Sequence, residues 1–84
     1  MMKFQILGTG CPKCKRLEEL TRQVADSLGL EYEIVKVDKI NDILKMGVMI
    51  TPGLAIDNKV IMSGRLPSLS ELTSMITTYL AKQG

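Results

Sequence analysis

Apolar residues in this chain form short strand-like runs and longer rows at helical spacing, punctuated by glycines. Lys3 to Leu7, carrying Phe4, Ile6 and Leu7 ahead of Gly8, predicts a first strand buried on both faces, as parallel strands are. From Pro12 to Leu28 the positions Leu17, Leu20, Val24, Ala25 and Leu28 recur at helical spacing, Glu18 and Arg22 form an i,i+4 pair on the wet side, and Gly29 is the stop. Glu31 to Val37 is rich in β-branched and aromatic residues and predicts a second strand, joined to the first by a right-handed parallel crossover. Ile40 to Met46 predicts a short helix with an apolar face of Ile40, Ile43 and Leu44, capped by Asp38 or Asn41 and ended by Gly47. After the apolar loop Val48 to Gly53 come strands Leu54-Ala55-Ile56 and Lys59-Val60-Ile61-Met62. Asp57-Asn58 between them makes a β-hairpin, because both residue types tolerate positive φ. Ser68-Leu69-Ser70-Glu71 is a capping box opening a last helix with the stripe Leu69, Leu72, Ile76, Tyr79 and Leu80, and the tail Lys82-Gln83-Gly84 is expected to fray. The resulting order is β-α-β-α-β-β-α, read as one domain over residues 1–84.

Composition narrows the function classes. A chain of 84 residues has a modest core, and a net charge of +2 leaves no strong basic field. With only Phe4, Tyr32 and Tyr79 as aromatics, nucleic-acid binding through stacked bases has no support. The opening Met1 to Leu7 is too short for a secretory h-region, and no apolar run approaches membrane-spanning length. A cytoplasmic protein with no membrane association is expected. Histidine is absent and the two cysteines make a single pair, so a four-cysteine zinc site within one chain is excluded and no metal site is expected. The methionines fit core packing better than soft-metal ligation.

Those two cysteines carry the candidate chemistry. Thr9-Gly10-Cys11-Pro12-Lys13-Cys14 lies between the first strand and the first helix. Positions i and i+3 on a helical turn hold their Cβ atoms about 5–6 Å apart, close to what a disulfide accepts. Cys11 and Cys14 can therefore open and close as a pair. The first turn presents unpaired N–H groups and the positive dipole end, which lowers the pKa of a thiol at Cys11 and marks it as the nucleophile. Cys14, one turn deeper, is then the resolving thiol. Pro12 suits the first helical position, while Lys13, Lys15 and Arg16 add positive charge. Two buried structural cysteines are the plain alternative, and a loop-to-helix junction beside Lys13 argues against them. C-x-x-C in a βαβ setting without a secretory signal is a redox signature.

With these residues in place the chain resembles the thioredoxin superfamily, whose minimal form has this element order, a C-x-x-C after the first strand and an X-Pro before the third. More narrowly it is similar to the small, glutaredoxin-sized thioredoxin-like proteins of archaea and bacteria, through Thr9-Gly10-Cys11-x-x-Cys14 and Thr51-Pro52-Gly53-Leu54. The resemblance covers nearly the whole chain. It implies an α/β, three-layer α/β/α fold with a four-stranded mixed sheet in order 2-1-3-4. It also implies a cis-proline at Pro52 facing the dithiol, and a Thr51 backbone offered to an extended substrate peptide. Protein disulfides would be the substrates, with a thioredoxin-reductase-like electron donor, a monomeric state and no cofactor beyond the Cys11/Cys14 disulfide. The chain departs from ordinary thioredoxins in having Gly10 before the first cysteine instead of tryptophan. Its first strand also lacks the buried aspartate that handles the resolving thiol's proton. Against glutaredoxins, Met62-Ser63-Gly64-Arg65 lacks the paired glycines and acidic residue that hold glutathione, so glutathione is not the expected partner.

Two other readings compete. Thr-Gly-Cys-x-x-Cys after a first strand also resembles the copper-binding loop of heavy-metal-associated domains, and two thiolates can hold Cu(I). That family runs β-α-β-β-α-β and usually has a methionine where this chain has Thr9. A binding module using the fold alone would leave both cysteines dispensable.

Overall fold

The computed structural model describes residues 1–83. Its elements are β1 (Met2–Leu7), α1 (Pro12–Ser27), β2 (Tyr32–Val37), α2 (Ile40–Lys45), β3 (Gly53–Ile56), β4 (Lys59–Ser63) and α3 (Leu69–Gln83). The four strands form one sheet in the order β2-β1-β3-β4, as expected. β1 pairs parallel with β2 and antiparallel with β3, and β3 pairs antiparallel with β4.

Alternation along the central strands divides the core between the two sheet faces. Phe4, Ile6, Leu54 and Ile56 point to one face, where Leu17, Leu20, Val24 and Ala25 of α1 and Leu72 and Ile76 of α3 cover them. Leu7 and Ala55 point to the other, where only Ile43 of α2 and Val48 complete the buried cluster. The molecule is therefore three layers thick. Phe4 also meets Tyr32 edge to face, with ring centroids 5.7 Å apart.

Local chemistry sets the element ends. Gly29 (φ +68°) takes the left-handed position after α1, and Leu30 N–H donates to the Ala25 carbonyl at 3.0 Å. This reversal corrects the expected stripe: Leu28 becomes the helix C-cap and is exposed, and Leu30 packs on the core in its place. Gly47 (φ +83°) ends α2 in the same way, with Val48 N–H donating to the Ile43 carbonyl at 3.3 Å and the Val48 side chain turned inward.

At the hairpin, Asp57 (φ +49°) and Asn58 (φ +72°) both adopt positive φ. Asp57 is stapled to the start of β1, accepting the Lys3 N–H on Oδ1 at 3.0 Å and donating its own N–H to the Lys3 carbonyl at 2.9 Å. The capping box of α3 is reciprocal: Glu71 N–H donates to Ser68 Oγ (3.1 Å) and Ser68 N–H to Glu71 Oε1 (3.2 Å).

Three further expectations are corrected. α2 ends at Lys45 and is capped by neither Asp38 nor Asn41, since its N-cap is Lys39 with no side-chain bond. Its expected apolar face is mostly open, with Ile40 65% and Leu44 51% exposed, because a helix of six residues turns only one row to the sheet. In α3, Leu69 lies exposed in the first turn while Met75 joins the core rim, and the helix continues through Lys82 and Gln83. The expected fraying of Gly84 lies outside the described residues.

Candidate active site

β1 delivers the chain to the C-terminal edge of the sheet, where Gly8 N–H donates to the Val37 carbonyl at 3.0 Å. Gly10 then adopts φ +90°, a conformation open to glycine, and turns the chain into α1. Cys11 is the N-cap residue with extended backbone (φ −67°, ψ 163°), and Pro12 follows in the first turn. The Cys11 Sγ accepts the Cys14 N–H at 3.3 Å, taking the role of a capping oxygen, and no acidic residue stands in that first turn.

Three residues apart, the two free cysteines occupy unlike surroundings. Cys11 is half-buried at the rim, whereas Cys14 is only 4% exposed. A hydrogen bond from the Cys14 thiol holds the Cys11 thiol below its usual range, followed by the backbone N–H groups of Cys14 and Lys13, with slight desolvation opposing them. Burial pushes the Cys14 thiol up, and its hydrogen bond to Cys11 adds to the effect. Lys13 therefore bears on Cys11 through its backbone N–H; its side chain lies exposed.

Gly8 separates the dithiol from the loop before β3. A Cβ built on Gly8 overlaps Cys14 Sγ, comes within 3.2 Å of Cys14 Cβ and lies 3.8 Å from Thr51 Cβ. Thr51 and Cys14 thus flank the same glycine. The Thr51–Pro52 peptide is cis, Pro52 is fully buried, and its carbonyl accepts the Gly64 N–H at 2.9 Å. Outside this seam an open groove of about 280 Å³ runs between Thr9, Thr51, Leu44 and Met49. Its rim is apolar, Met49 being 85% and Ile40 65% exposed.

On the opposite side of Thr9 lies a second cavity, of about 220 Å³, that reaches Cys14 between α1 and the end of β2. Glu18, Lys15, Lys36 and Asp38 bring charge to its walls. At its wall Glu18 Oε1 meets Lys36 Nζ at 3.2 Å, and Glu18 Oε2 meets Arg22, which lies outside the cavity, at 3.2 Å. Partial burial pushes the Glu18 carboxyl up, but hydrogen bonds from Lys36 and Arg22 outweigh it and hold the group below the ordinary carboxylate range.

The buried polar position of β1 is Gln5. Its amide is fully engaged with the hairpin, Nε2 donating to Asn58 Oδ1 (3.0 Å) and Oε1 accepting the Asn58 N–H (2.8 Å).

As the sequence predicts, Gly10, Cys11, Pro12, Lys13 and Cys14 stand together, and Thr51 and Pro52 lie in the loop before β3. The packing of Gly8 against Cys14, and the cavity that Glu18 and Lys36 share with Cys14, are found only in the structure. For Glu18 a signal existed, since it stands four residues after Cys14 on one helix face. Gly8 meets Cys14, and Lys36 meets Glu18, only through the fold.

Comparison with known proteins agrees with this geometry. A family model described as Thioredoxin domain matches residues 2–77, and the chain belongs to the thioredoxin family. The thioredoxin of Methanocaldococcus jannaschii is 39% identical over 80 residues, spanning 95% of this chain and 92% of that protein. The thioredoxin of Methanothermobacter thermautotrophicus is 38% identical over 77 residues, spanning 92% of this chain and all (100%) of that one. Among solved structures, thioredoxin 1 of Thermosipho africanus superposes with a TM-score of 0.65 at 21% identity over 96% of this chain and 97% of that one. The germline-specific thioredoxin Deadhead of Drosophila melanogaster does so with a TM-score of 0.64 at 18% identity, over 92% and 79%. These structures share the fold.

Thioredoxins are protein-disulfide oxidoreductases that use their own cysteine pair and no cofactor, with protein disulfides as substrates and a reductase as partner. The copper-loop alternative has no support, because the described elements follow the order β-α-β-α-β-β-α and not β-α-β-β-α-β. Among the described residues no helix is long and apolar enough to cross a membrane.

Proposed function

We propose that this chain reduces or exchanges protein disulfides by a two-thiol relay. Cys11 is the nucleophile: its thiolate attacks a substrate disulfide, one substrate sulfur leaves as thiolate, and a mixed disulfide remains on Cys11. Cys14 then attacks Cys11 Sγ, releasing the second substrate sulfur and leaving the Cys11–Cys14 disulfide for a thioredoxin-reductase-like donor to reset. The observation that carries this reading is the inequality of the two thiols, one at the rim and capping a helix, the other buried beneath it.

Gly10 and Pro12 shape the turn that presents Cys11, and Lys13 contributes its N–H. Thr51 and Pro52 border the face across Gly8, where an extended substrate peptide lies. The protein acts as a monomer of one domain over residues 1–84, in the cytoplasm.

Cys14→Ser tests the order of events. It should accumulate a mixed disulfide on Cys11 with protein substrates, and Cys11→Ser should accumulate none. Trapping by the Cys11→Ser variant in place of Cys14→Ser would reverse the roles, and trapping by neither would remove the mechanism.

A further inference from the structure

Cys14 has to lose a proton when it attacks, because the thiolate is the attacking species. Its burial works against that loss, so at neutral pH the thiol is held protonated. β1 offers no base, since Gln5 is an amide with both polar atoms bonded to Asn58. The charged cavity behind Cys14 does offer one. Glu18 follows Cys14 by one helical turn on the same face, its side chain is 18% exposed, and both carboxylate oxygens are anchored by cations. With about 220 Å³, the cavity has room for several waters, each needing roughly 10–15 Å³ of such space. Asp38, the other carboxylate on its wall, is exposed and lies beyond the end of β2.

Building on the dithiol relay above, we propose that Glu18 is the proton acceptor for Cys14, reached through water in this cavity and positioned by Lys36. In the resolving step the Cys14 sulfur forms a bond to Cys11 Sγ, and the bond from Cys11 Sγ to the substrate sulfur breaks. Cys14 is oxidised, the departing sulfur is reduced and carries away the electron pair, and the Cys14 proton passes by water to Glu18 and on to solvent. Lys36 and Arg22 keep the carboxylate ionised and weaken it as a base, so Glu18 holds the proton only in passing and hands it on to solvent. The remaining charged group on the wall, Lys15, projects from α1.

The two effects of removing Glu18 have opposite signs, which makes the test sharp. Loss of a nearby negative charge alone favours the Cys14 thiolate and quickens resolution, whereas loss of the acceptor slows it. Reduced protein is mixed with 5,5′-dithiobis(2-nitrobenzoate), and the coloured thiolate is followed in two releases, the first from attack by Cys11 and the second from resolution by Cys14.

Glu18→Gln should leave the first release unchanged, slow the second about tenfold near pH 7, and converge with the wild type above the Cys14 titration, where no acceptor is needed. Asp38→Asn should resolve like the wild type. A second release that is unchanged or faster in Glu18→Gln, slowed equally at every pH, or slowed instead by Asp38→Asn overturns the assignment to Glu18. Absence of the first release in the wild type overturns the dithiol relay itself, and this proposal with it.

Discussion

The two faces of the sheet are covered very differently. Beneath α1 and α3 ten buried residues form one cluster, rimmed by half-buried side chains; beneath α2 only four do so. Both helices on the first face exceed three turns and bury long rows, while α2 has six residues and turns Ile43 inward. One face holds the fold, and the thinner one leaves an apolar groove open beside the dithiol. Stability and accessibility are thus separated by a single sheet.

Core truncations break or sharpen this comparison most strongly. Leu17→Ala, on the thick face, should cost about 3–4 kcal/mol in urea unfolding. Ile43→Ala should cost about 2 kcal/mol, because a site beside an open groove can relax. Equal losses would dissolve the distinction between the faces. At the seam, Gly8→Ala forces a methyl group onto Cys14 Sγ and should cost about 1–3 kcal/mol through overpacking. Starting from reduced protein, timed oxidation with a disulfide reagent quenched by alkylation should show its Cys11–Cys14 disulfide forming more slowly than in the wild type. Leu44→Gln, on the exposed side of α2, should change stability by no more than about 0.5 kcal/mol; a larger loss would mean that α2 is less open than its exposure indicates.

The smallest effect in energy is read by titration. Cys14→Ala removes the thiol donor that chiefly lowers Cys11, so the midpoint of Cys11 alkylation by iodoacetamide should rise while the backbone N–H groups keep it below an unfolded thiol's. The stability signs follow. A lowered Cys11 contributes stability above the unfolded thiol pKa, lost as pH falls through its folded value; a raised Cys14 contributes below the unfolded pKa, lost as pH rises through its folded value. The wild type therefore carries opposing alkaline contributions.

Most of the fold was legible because its signals are local. Gly29 and Gly47 stop helices, Asp57-Asn58 closes a hairpin, and Ser68 with Glu71 caps α3. The inward faces were harder to read. Six residues of α2 carry too little periodicity to choose among Ile40, Ile43 and Leu44, and the left-handed Gly29 exchanges Leu30 for Leu28 in the core. At the site, Cys11 and Cys14 announce themselves by spacing and by their junction between strand and helix. Gly8 does not, because what it accommodates is a sulfur from the next element. Glu18 read as the surface partner of Arg22, since Lys36 meets it only after β2 has paired beside β1.

The central place of β1 has a consequence for the order in which the protein is made. The strand that leads to the dithiol comes first, yet its neighbours begin at Tyr32 and Gly53. During synthesis the cysteines emerge while both edges of their strand are unpaired, and the only pairing closed by a tight turn, β3 with β4, follows later. The burial that raises Cys14 is complete only after β1 has docked between β2 and β3, so the full difference between the two thiols arrives with tertiary structure and not with the motif alone.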